Sequence, residues 1–391
     1  LPLAAPGAGR QNRSRRLRRP RSHGPQQRAS DDIDDPERTV PILLFTTRDG
    51  MSTLPRMLER VARIRWPAGL RIVAVDNGST DGSGDLLRAW TARLPMEVLE
   101  CPLRGKNRAL NHALDHIGSA ALAAAELVVV TDDDIVPRED WLVRLLLAAR
   151  SEPRADMFGG VIEPRWPHTP PDWLMAMDGN FPILFAATTR RHGPCSSRDI
   201  YGPNMAVRGR VFAAGARFEP SIGPDGTRRY GMGSESEFLR RLERAGHRSF
   251  FCGYAVVGHQ VEPAQMTQGS VIARARRYGY GLAMMDAQAR GRLPLAVAAL
   301  RRFAEREVKA LAAMLPFWSS RRLATRFERE VRRGYLDGLL RAPALPATPM
   351  RPARTPMAAP RIRGYAAAAP LQAAPITVTA MPARDARVAR R

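Results

Sequence analysis

The sequence predicts an α/β fold in which a mostly parallel, Rossmann-like sheet is covered by helices on both faces. Three observations carry that expectation. From Val40 to Arg150, short apolar runs alternate with stretches whose apolar residues recur at helical spacing, a pattern that implies right-handed crossovers between parallel strands. Three of these runs stop on polar clusters, at Thr46 to Asp49, Asp76 to Ser79 and Asp132 to Asp134, and ligands of open α/β sheets bind outside the carboxyl ends of strands. The chain is also long enough, at 391 residues with 44% hydrophobic content, to bury a sizeable core in one large domain or two.

Residues 1–38 are rich in Arg, Pro, Gly and Ser, with an acidic patch from Asp31 to Glu37, and are expected to form a disordered tail. The first strand is Val40 to Phe45, running into Thr46-Thr47-Arg48-Asp49-Gly50. Ser52 then opens a helix with Leu54, Met57, Leu58, Val61 and Ile64 on one face. Leu70 to Val75 is the second strand and ends on Asp76-Asn77-Gly78-Ser79. A helix from Gly84 to Arg93 and a short strand from Met96 to Leu99 follow. Arg104-Gly105-Lys106-Asn107-Arg108 opens a third helix through Ala109, Leu110, Ala113, Leu114 and Ile117. Leu127-Val128-Val129-Val130-Thr131 reads as a strand buried on both faces.

A helix from Trp141 to Arg150 precedes an irregular stretch with Pro and Trp between Glu163 and Trp173. Gly202 to Val207 reads as a loop entering a strand. Gly233-Ser234-Glu235-Ser236-Glu237-Phe238 opens a helix with Phe238, Leu242 and Ala245 inward and Gly246 as its stop. Two short apolar segments lead to Gly258-His259-Gln260-Val261. The expected organisation is therefore an α/β domain over 39–265, a helical extension over 266–342 with arginine-rich faces, and a disordered Pro/Ala/Arg tail over 343–391.

The formal charge of +23 is carried almost wholly by arginine, since lysine occurs only at Lys106 and Lys309. Much of the excess lies in the two ends, so an anionic partner is compatible with the tails but not demanded by the core, and no specific nucleic-acid binding is expected. Cys101, Cys195 and Cys252 are far apart and form no CxxC, which fits a reduced, cytoplasmic setting. No apolar run is long enough to span a bilayer, and no apolar segment follows the Arg-rich start, so neither spanning nor secretion is expected. The arginine-rich helices after Met266 admit two readings: peripheral contact with an anionic membrane surface, or a solvated bundle.

Asp132-Asp133-Asp134 at the end of a buried strand is the most informative triplet. Adjacent carboxylates repel one another, and sharing a hard cation such as Mg²⁺ or Mn²⁺ relieves this while leaving positions for substrate phosphates. The competing reading is a solvated acidic turn before the next helix. Lys106 sits at a helix start, where a cation is unfavourable to the dipole, and therefore calls for an anionic partner. Ser234 and Glu237 have the spacing of a capping box, which would occupy Glu237 structurally and leave Glu235 free in the first turn.

Taken together, Asp76-Asn77-Gly78-Ser79-Thr80-Asp81-Gly82-Ser83, Gly105-Lys106-Asn107-Arg108-Ala109-Leu110-Asn111, Thr131-Asp132-Asp133-Asp134, Gly202-Pro203-Asn204-Met205 and Gly233-Ser234-Glu235-Ser236-Glu237-Phe238 resemble the inverting family 2 glycosyltransferases of the GT-A fold, over roughly residues 39–262. The resemblance implies transfer of a sugar from a nucleotide-sugar, usually UDP-linked, to a hydroxyl of a glycan or lipid-linked acceptor in cell-surface polysaccharide or glycolipid synthesis. It places Thr46, Thr47, Arg48, Asp76, Lys106, Asp132 and Asp133 against the donor, and Asn204 and Glu237 against the acceptor. Asp132 and Asp134 resemble the metal-binding DXD, with Asp134 the direct ligand and Asp132 or Asp133 reaching the ribose or a metal-bound water. His259 corresponds to a late histidine that contacts metal or diphosphate, and a satisfied core histidine is its other reading. Asp76 corresponds to a nucleobase contact, beside its reading as an Asx-turn former.

Glu235 occupies the position of the catalytic base, although Ser234 replaces the acidic residue usual before it. Trp166 to Trp173 can serve as a sugar-stacking platform or as core. Two other functions fit parts of the pattern. Asp132-Asp133-Asp134-Ile135-Val136 matches the DxDxV of haloacid-dehalogenase-like phosphatases, and the arginine content suits a non-catalytic anion-binding protein.

Overall fold

The computed structural model describes residues 40–227, 230–290, 295 and 319–341. The expected tails over 1–38 and 343–391, and most of the stretch from 291 to 318 in the helical extension, lie outside the described residues. Nine strands form one mixed sheet: β1 Ile42–Thr47, β2 Arg71–Asp76, β3 Met96–Glu100, β4 Val128–Asp132, β5 Ile135–Pro137, β6 Met157–Arg165, β7 Gly193–Cys195, β8 Met205–Val207 and β9 Ser249–Gln260. Their order is β3-β2-β1-β4-β8-β6-β9-β5, with β7 also on β9. The first four pair in parallel, as the strand and helix alternation requires, and β6 and β9 are also parallel to each other. β8 is inserted antiparallel between β4 and β6.

The register aligns the polar strand ends. Thr46 lies opposite Asp132, and Thr47 opposite Asp76, so the loops after β1, β2 and β4 open at one edge of the sheet. All six residues of β1 are buried, because helices cover both faces. On one face, α1 (Leu54–Val61), α2 (Ser83–Trp90) and α5 (Trp141–Ser151) pack through Leu54, Leu58, Leu87, Trp141 and Leu145. On the other, α3 (Lys106–Ile117), α4 (Ser119–Ala124), α8 (Gly209–Ala213) and α9 (Ser234–Arg244) contribute Leu110, Leu114, Leu122, Phe212 and Phe238.

β6 falls where the sequence reads as irregular after Arg150. Gly159 and Gly160 obscure its pattern, and the structure shows their use: a Cβ on Gly159 would meet Ile200 at 2.7 Å, and one on Gly160 would strike the Asn204 amide. The 200–204 segment therefore lies directly across the strand. The two apolar segments before His259 are one strand, β9, interrupted by a register shift opposite Gly160 and Val161.

The short helices α6 (Asp172–Met175) and α7 (Phe181–Phe185) carry the tryptophan region. Trp166 packs edge-on against Phe181 and Phe185, with centroids 5.6 and 5.0 Å away, so this aromatic belongs to a core cluster with Met266, Val271 and Phe327 and not to a sugar platform. The extension supplies α10 (Gln268–Arg290) and α11 (Ser319–Arg341), packed on each other. Arg276 pairs across the two helices with Asp337 at 2.5 Å, and Arg333 pairs within α11 with Glu330 at 2.7 Å. Among the described residues, no helix is long and apolar enough to cross a membrane.

Candidate active site

Beyond the end of β4 lies a cavity of about 410 Å³ lined by Lys106, Asp132, Asp134, Glu235, His259 and Arg274, among others. Each arrives for a local reason. Asp132 closes β4 and Asp134 sits in the tight turn to β5, where its carbonyl accepts from Gln260 N at 2.8 Å. Lys106 is the first residue of α3. The loop before it is held by Asn77, whose amide donates to the carbonyls of Cys101 (2.9 Å) and Leu103 (2.8 Å) and accepts from Gly105 N (2.8 Å). Asn107 and Asn111, from the same helix, grip the carbonyls of Glu219, Ile222 and Phe218.

Lys106 is the electrostatic hinge of the site. Its Nζ donates to Asp132 Oδ1 and, at 2.5 Å, to Glu235 Oε1. Burial opposes its charge, but the two carboxylates outweigh this and raise its pKa well above the ordinary lysine value. Glu235 Oε2 accepts from Ser234 Oγ at 2.7 Å. Burial raises the Glu235 pKa, and Lys106 and Ser234 overcome it, leaving the carboxyl below its usual range and ionised at neutral pH. Gly202 makes room for this arrangement, since a Cβ there would lie 2.7 Å from Glu235 Oε1.

Asp134 is held differently. Its Oδ2 lies 3.0 Å from His259 Nε2, while His259 Nδ1 lies 2.6 Å from the carbonyl of Phe185. A ring that must donate at both nitrogens is charged. Burial works against that state, yet the Asp134 carboxylate and the Phe185 carbonyl push the His259 pKa up to about 9. His259 Nδ1 is thus spent on the Phe185 carbonyl, while Nε2 faces Asp134 and holds that carboxylate in place. Asp134 Oδ1 is buried and has no hydrogen-bond partner among the described residues. A buried anionic oxygen in that condition fits a cation ligand. Among the described residues no three Asp, Glu, His or Cys side chains form a closed metal site. A cation on Asp134 and Asp132 would therefore complete its shell with substrate oxygens, as Mg²⁺ commonly does.

The remaining expected donor residues are not among those lining this cavity and lie at or after the ends of the neighbouring strands. Thr46 is buried opposite Asp132. Thr47 donates its hydroxyl to Asp133, whose carboxyl is pushed up to about 7 by burial and by the neighbouring Asp134 charge, against that hydrogen bond. Arg48 has a buried Nη1 with no hydrogen-bond partner among the described residues, and its Nε is 3.7 Å from Asp49. Asp76 forms the Asx turn, accepting from Ser79 N at 2.9 Å.

The two expected acceptor residues are elsewhere. Asn204 is fully buried; it accepts from Trp141 Nε1 at 2.9 Å and donates to the carbonyls of Val161 and Ala255, both at 3.0 Å. It fastens β8 to its neighbours and has no polar atom left for a ligand. Glu237 is also fully buried, in a bidentate pair with Arg241 at 2.8 and 3.0 Å. The capping box between Ser234 and Glu237 is absent, because Gly233 takes the N-cap position and Ser234 is already inside the helix. Arg274, on α10, is a cavity residue that sequence reasoning missed; it donates from Nε to the Ile183 carbonyl at 3.0 Å. In a chain so rich in arginine, nothing in the sequence marks it out.

Comparison with known proteins accords with this geometry. The fold is that of the GT-A sugar transferases: the mannosyltransferase PcManGT of Pyrobaculum calidifontis, solved with GDP-Man and Mn²⁺, superposes with a TM-score of 0.51 at 20% identity, over 80% of this chain and 93% of that one. Residues 45–215 match the model of glycosyl transferase family 2. The succinoglycan biosynthesis protein ExoM of Rhizobium meliloti is 26% identical over 229 residues, 57% of this chain and 67% of that protein. The fold leaves no place for a haloacid-dehalogenase-like site, since three strands precede the one bearing the Asp triplet, whereas that family's nucleophile lies on its first core strand.

Proposed function

We propose that this protein is an inverting glycosyltransferase that moves a sugar from a nucleoside-diphosphate sugar to an acceptor hydroxyl, with Glu235 as the base and Asp134, assisted by Asp132, as the holder of Mg²⁺ or Mn²⁺. The observation that carries it is one cavity containing both an ionised, hydrogen-bonded Glu235 and an Asp134 oxygen that no group among the described residues satisfies. A polysaccharide or glycolipid acceptor is supported by the likeness to a succinoglycan biosynthesis protein, and metal use by a neighbour of like fold solved with GDP-Man and Mn²⁺.

A cation bound here supplies Lewis-acid neutralisation of the leaving diphosphate. The protein's own groups do the rest. Asp132 and Asp134 orient the diphosphate end of the donor, His259 fixes the direction of Asp134, and Thr46, Thr47, Arg48 and Asp76 form the nucleotide floor. As the acceptor oxygen attacks the anomeric carbon from the face opposite the diphosphate, its proton passes to the carboxylate of Glu235. Lys106 keeps that carboxylate ionised, and Ser234 fixes its rotamer.

Glu235→Gln should lower turnover by roughly 10²–10⁴-fold, the span for general-base loss, with nucleotide-sugar affinity preserved. Sugar transfer to a glycan or lipid-linked acceptor, followed across a panel of nucleotide-sugars with Mn²⁺, measures it. Turnover within a few-fold of the parent would remove Glu235 from the mechanism.

A further inference from the structure

The cavity is more cationic than a nucleotide-sugar and one divalent ion require. Its lining carboxylates are Asp132, Asp134 and Glu235, and its lining lysine and arginine cations are Lys106, Arg198, Arg240 and Arg274. Lys106 and His259 already pair with all three carboxylates. A doubly charged cation and a diphosphate of about two negative charges cancel each other at neutral pH, which leaves four lining lysine and arginine charges against three carboxylates. These arginines are not all at one end. Arg274 is within electrostatic reach of Asp134 and Asp132 and so belongs to the diphosphate side.

Arg198 and Arg240 line the same cavity and both reach Tyr278 electrostatically. Tyr201 precedes Gly202, the residue that abuts Glu235 Oε1. Tyr278 lines the same cavity on α10, and both Arg240 and Arg198 act on its phenol, while Tyr201 and Tyr278 act on each other. Arg240, on α9, makes long contacts of 3.6 Å to Asp286 and to Met285 Sδ. Asp286 is itself engaged by the Tyr335 hydroxyl at 3.1 Å. The structure gives the Arg198 guanidinium no ion pair to a described carboxylate. Two guanidiniums and two phenols from three separate elements thus line the cavity that holds the base.

We infer that Arg198 and Arg240, with the hydroxyls of Tyr201 and Tyr278, form an oxyanion subsite for the acceptor, so that the acceptor carries a phosphate or a carboxylate close to the sugar that is glycosylated. The inference rests on the glycosyltransferase reading above and extends it to the acceptor's chemical class. A phosphoryl group attached to the acceptor sugar and a uronic acid carboxylate present the same chemistry to a guanidinium pair.

The test is equilibrium binding of three probes to the full chain saturated with Mn²⁺ and a nucleoside diphosphate: glucose 1-phosphate, methyl glucuronide and uncharged methyl glucoside. At least one anionic probe should bind more tightly than methyl glucoside, and Arg198→Gln and Arg240→Gln should each weaken it by about tenfold, the scale of a charge-assisted hydrogen bond. Preference for glucose 1-phosphate identifies a phosphorylated acceptor, and preference for the glucuronide a uronic acid. Nucleotide affinity, measured first on the same variants, should stay at the parent value. Binding of all three probes with equal affinity, or anion binding unaffected by both substitutions, would overturn the subsite while leaving the transferase reading intact. Failure of the parent protein to bind any nucleoside diphosphate would instead strike the underlying reading.

Discussion

Glu235 and Glu237 are two positions apart on the same first helical turn, yet the fold gives them opposite fates. Glu235 faces the cavity beneath Gly202, while Glu237 is sealed in the core against Arg241. That contrast makes the pair a sharp residue-scale test. Glu237→Gln leaves the buried Arg241 guanidinium without its counter-ion, a loss of about 3 kcal/mol in unfolding free energy. Urea denaturation measures it, and a variant as stable as the parent would show that the pair contributes nothing. The sequence separates Glu235 from a core-facing Glu237, but accounts for Glu237 by the wrong contact. The Ser234 to Glu237 spacing suggests a capping box, and Gly233, with φ +111°, is already the N-cap, so Glu237 is accounted for by Arg241 one turn on. Asn204 misleads similarly. Its motif is real, but the amide is spent on Trp141, Val161 and Ala255, contacts between strands that no local pattern encodes.

At the scale of elements, the decisive contact is between α10 and the loop that leads into α9. Met232 N donates to the Arg277 carbonyl at 3.1 Å, and a Cβ on Gly281 would strike the Met232 carbonyl. The helical extension therefore sets the position of the turn carrying Gly233, Ser234 and Glu235. Gly281→Ala should displace that turn, costing about 1–3 kcal/mol from overpacking and lowering kcat about tenfold or more while nucleotide affinity holds. Turnover equal to the parent's would show that α10 is a mere cover.

A second element-scale junction joins the start of β6, α8 and the entry to β9. Asp156 accepts from His247 Nδ1 at 2.8 Å and from Arg210 Nη2 at 2.6 Å. Burial raises its pKa, but these two partners more than offset it and hold the carboxyl below the ordinary aspartate value. Its contribution to stability is accordingly complete above about pH 4 and lost as pH falls through the folded-state value. Asp156→Asn should lower stability at pH 7 and flatten this acid limb in a series of denaturation curves. An acid limb identical to the parent's would place the sensitivity elsewhere. The sequence shows β1 to β4 and their helices clearly, because each is a long run of one period. It hides β6 and α8, which are broken by glycines or too short to show a period.

For the molecule as a whole, loops from distant strands are brought to one edge by the parallel register of β1, β2 and β4, and the antiparallel β8 with α9 closes the opposite wall. The carboxylate triplet, Lys106 and Glu235 were legible as separate motifs in a recurring order. Arg198, Arg240 and Arg274 were not, since which of so many arginines line the cavity is decided only by folding. The account turns on Asp134, whose Oδ1 is the buried oxygen left for a cation. Calorimetric titration of UDP and GDP into the protein, with Mn²⁺ and then with EDTA, should show binding of at least one nucleotide that EDTA abolishes and that Asp134→Asn also abolishes, with the far-ultraviolet spectrum of the variant unchanged. Nucleotide binding of equal affinity in EDTA, or in the Asp134→Asn protein with Mn²⁺, would contradict the assignment.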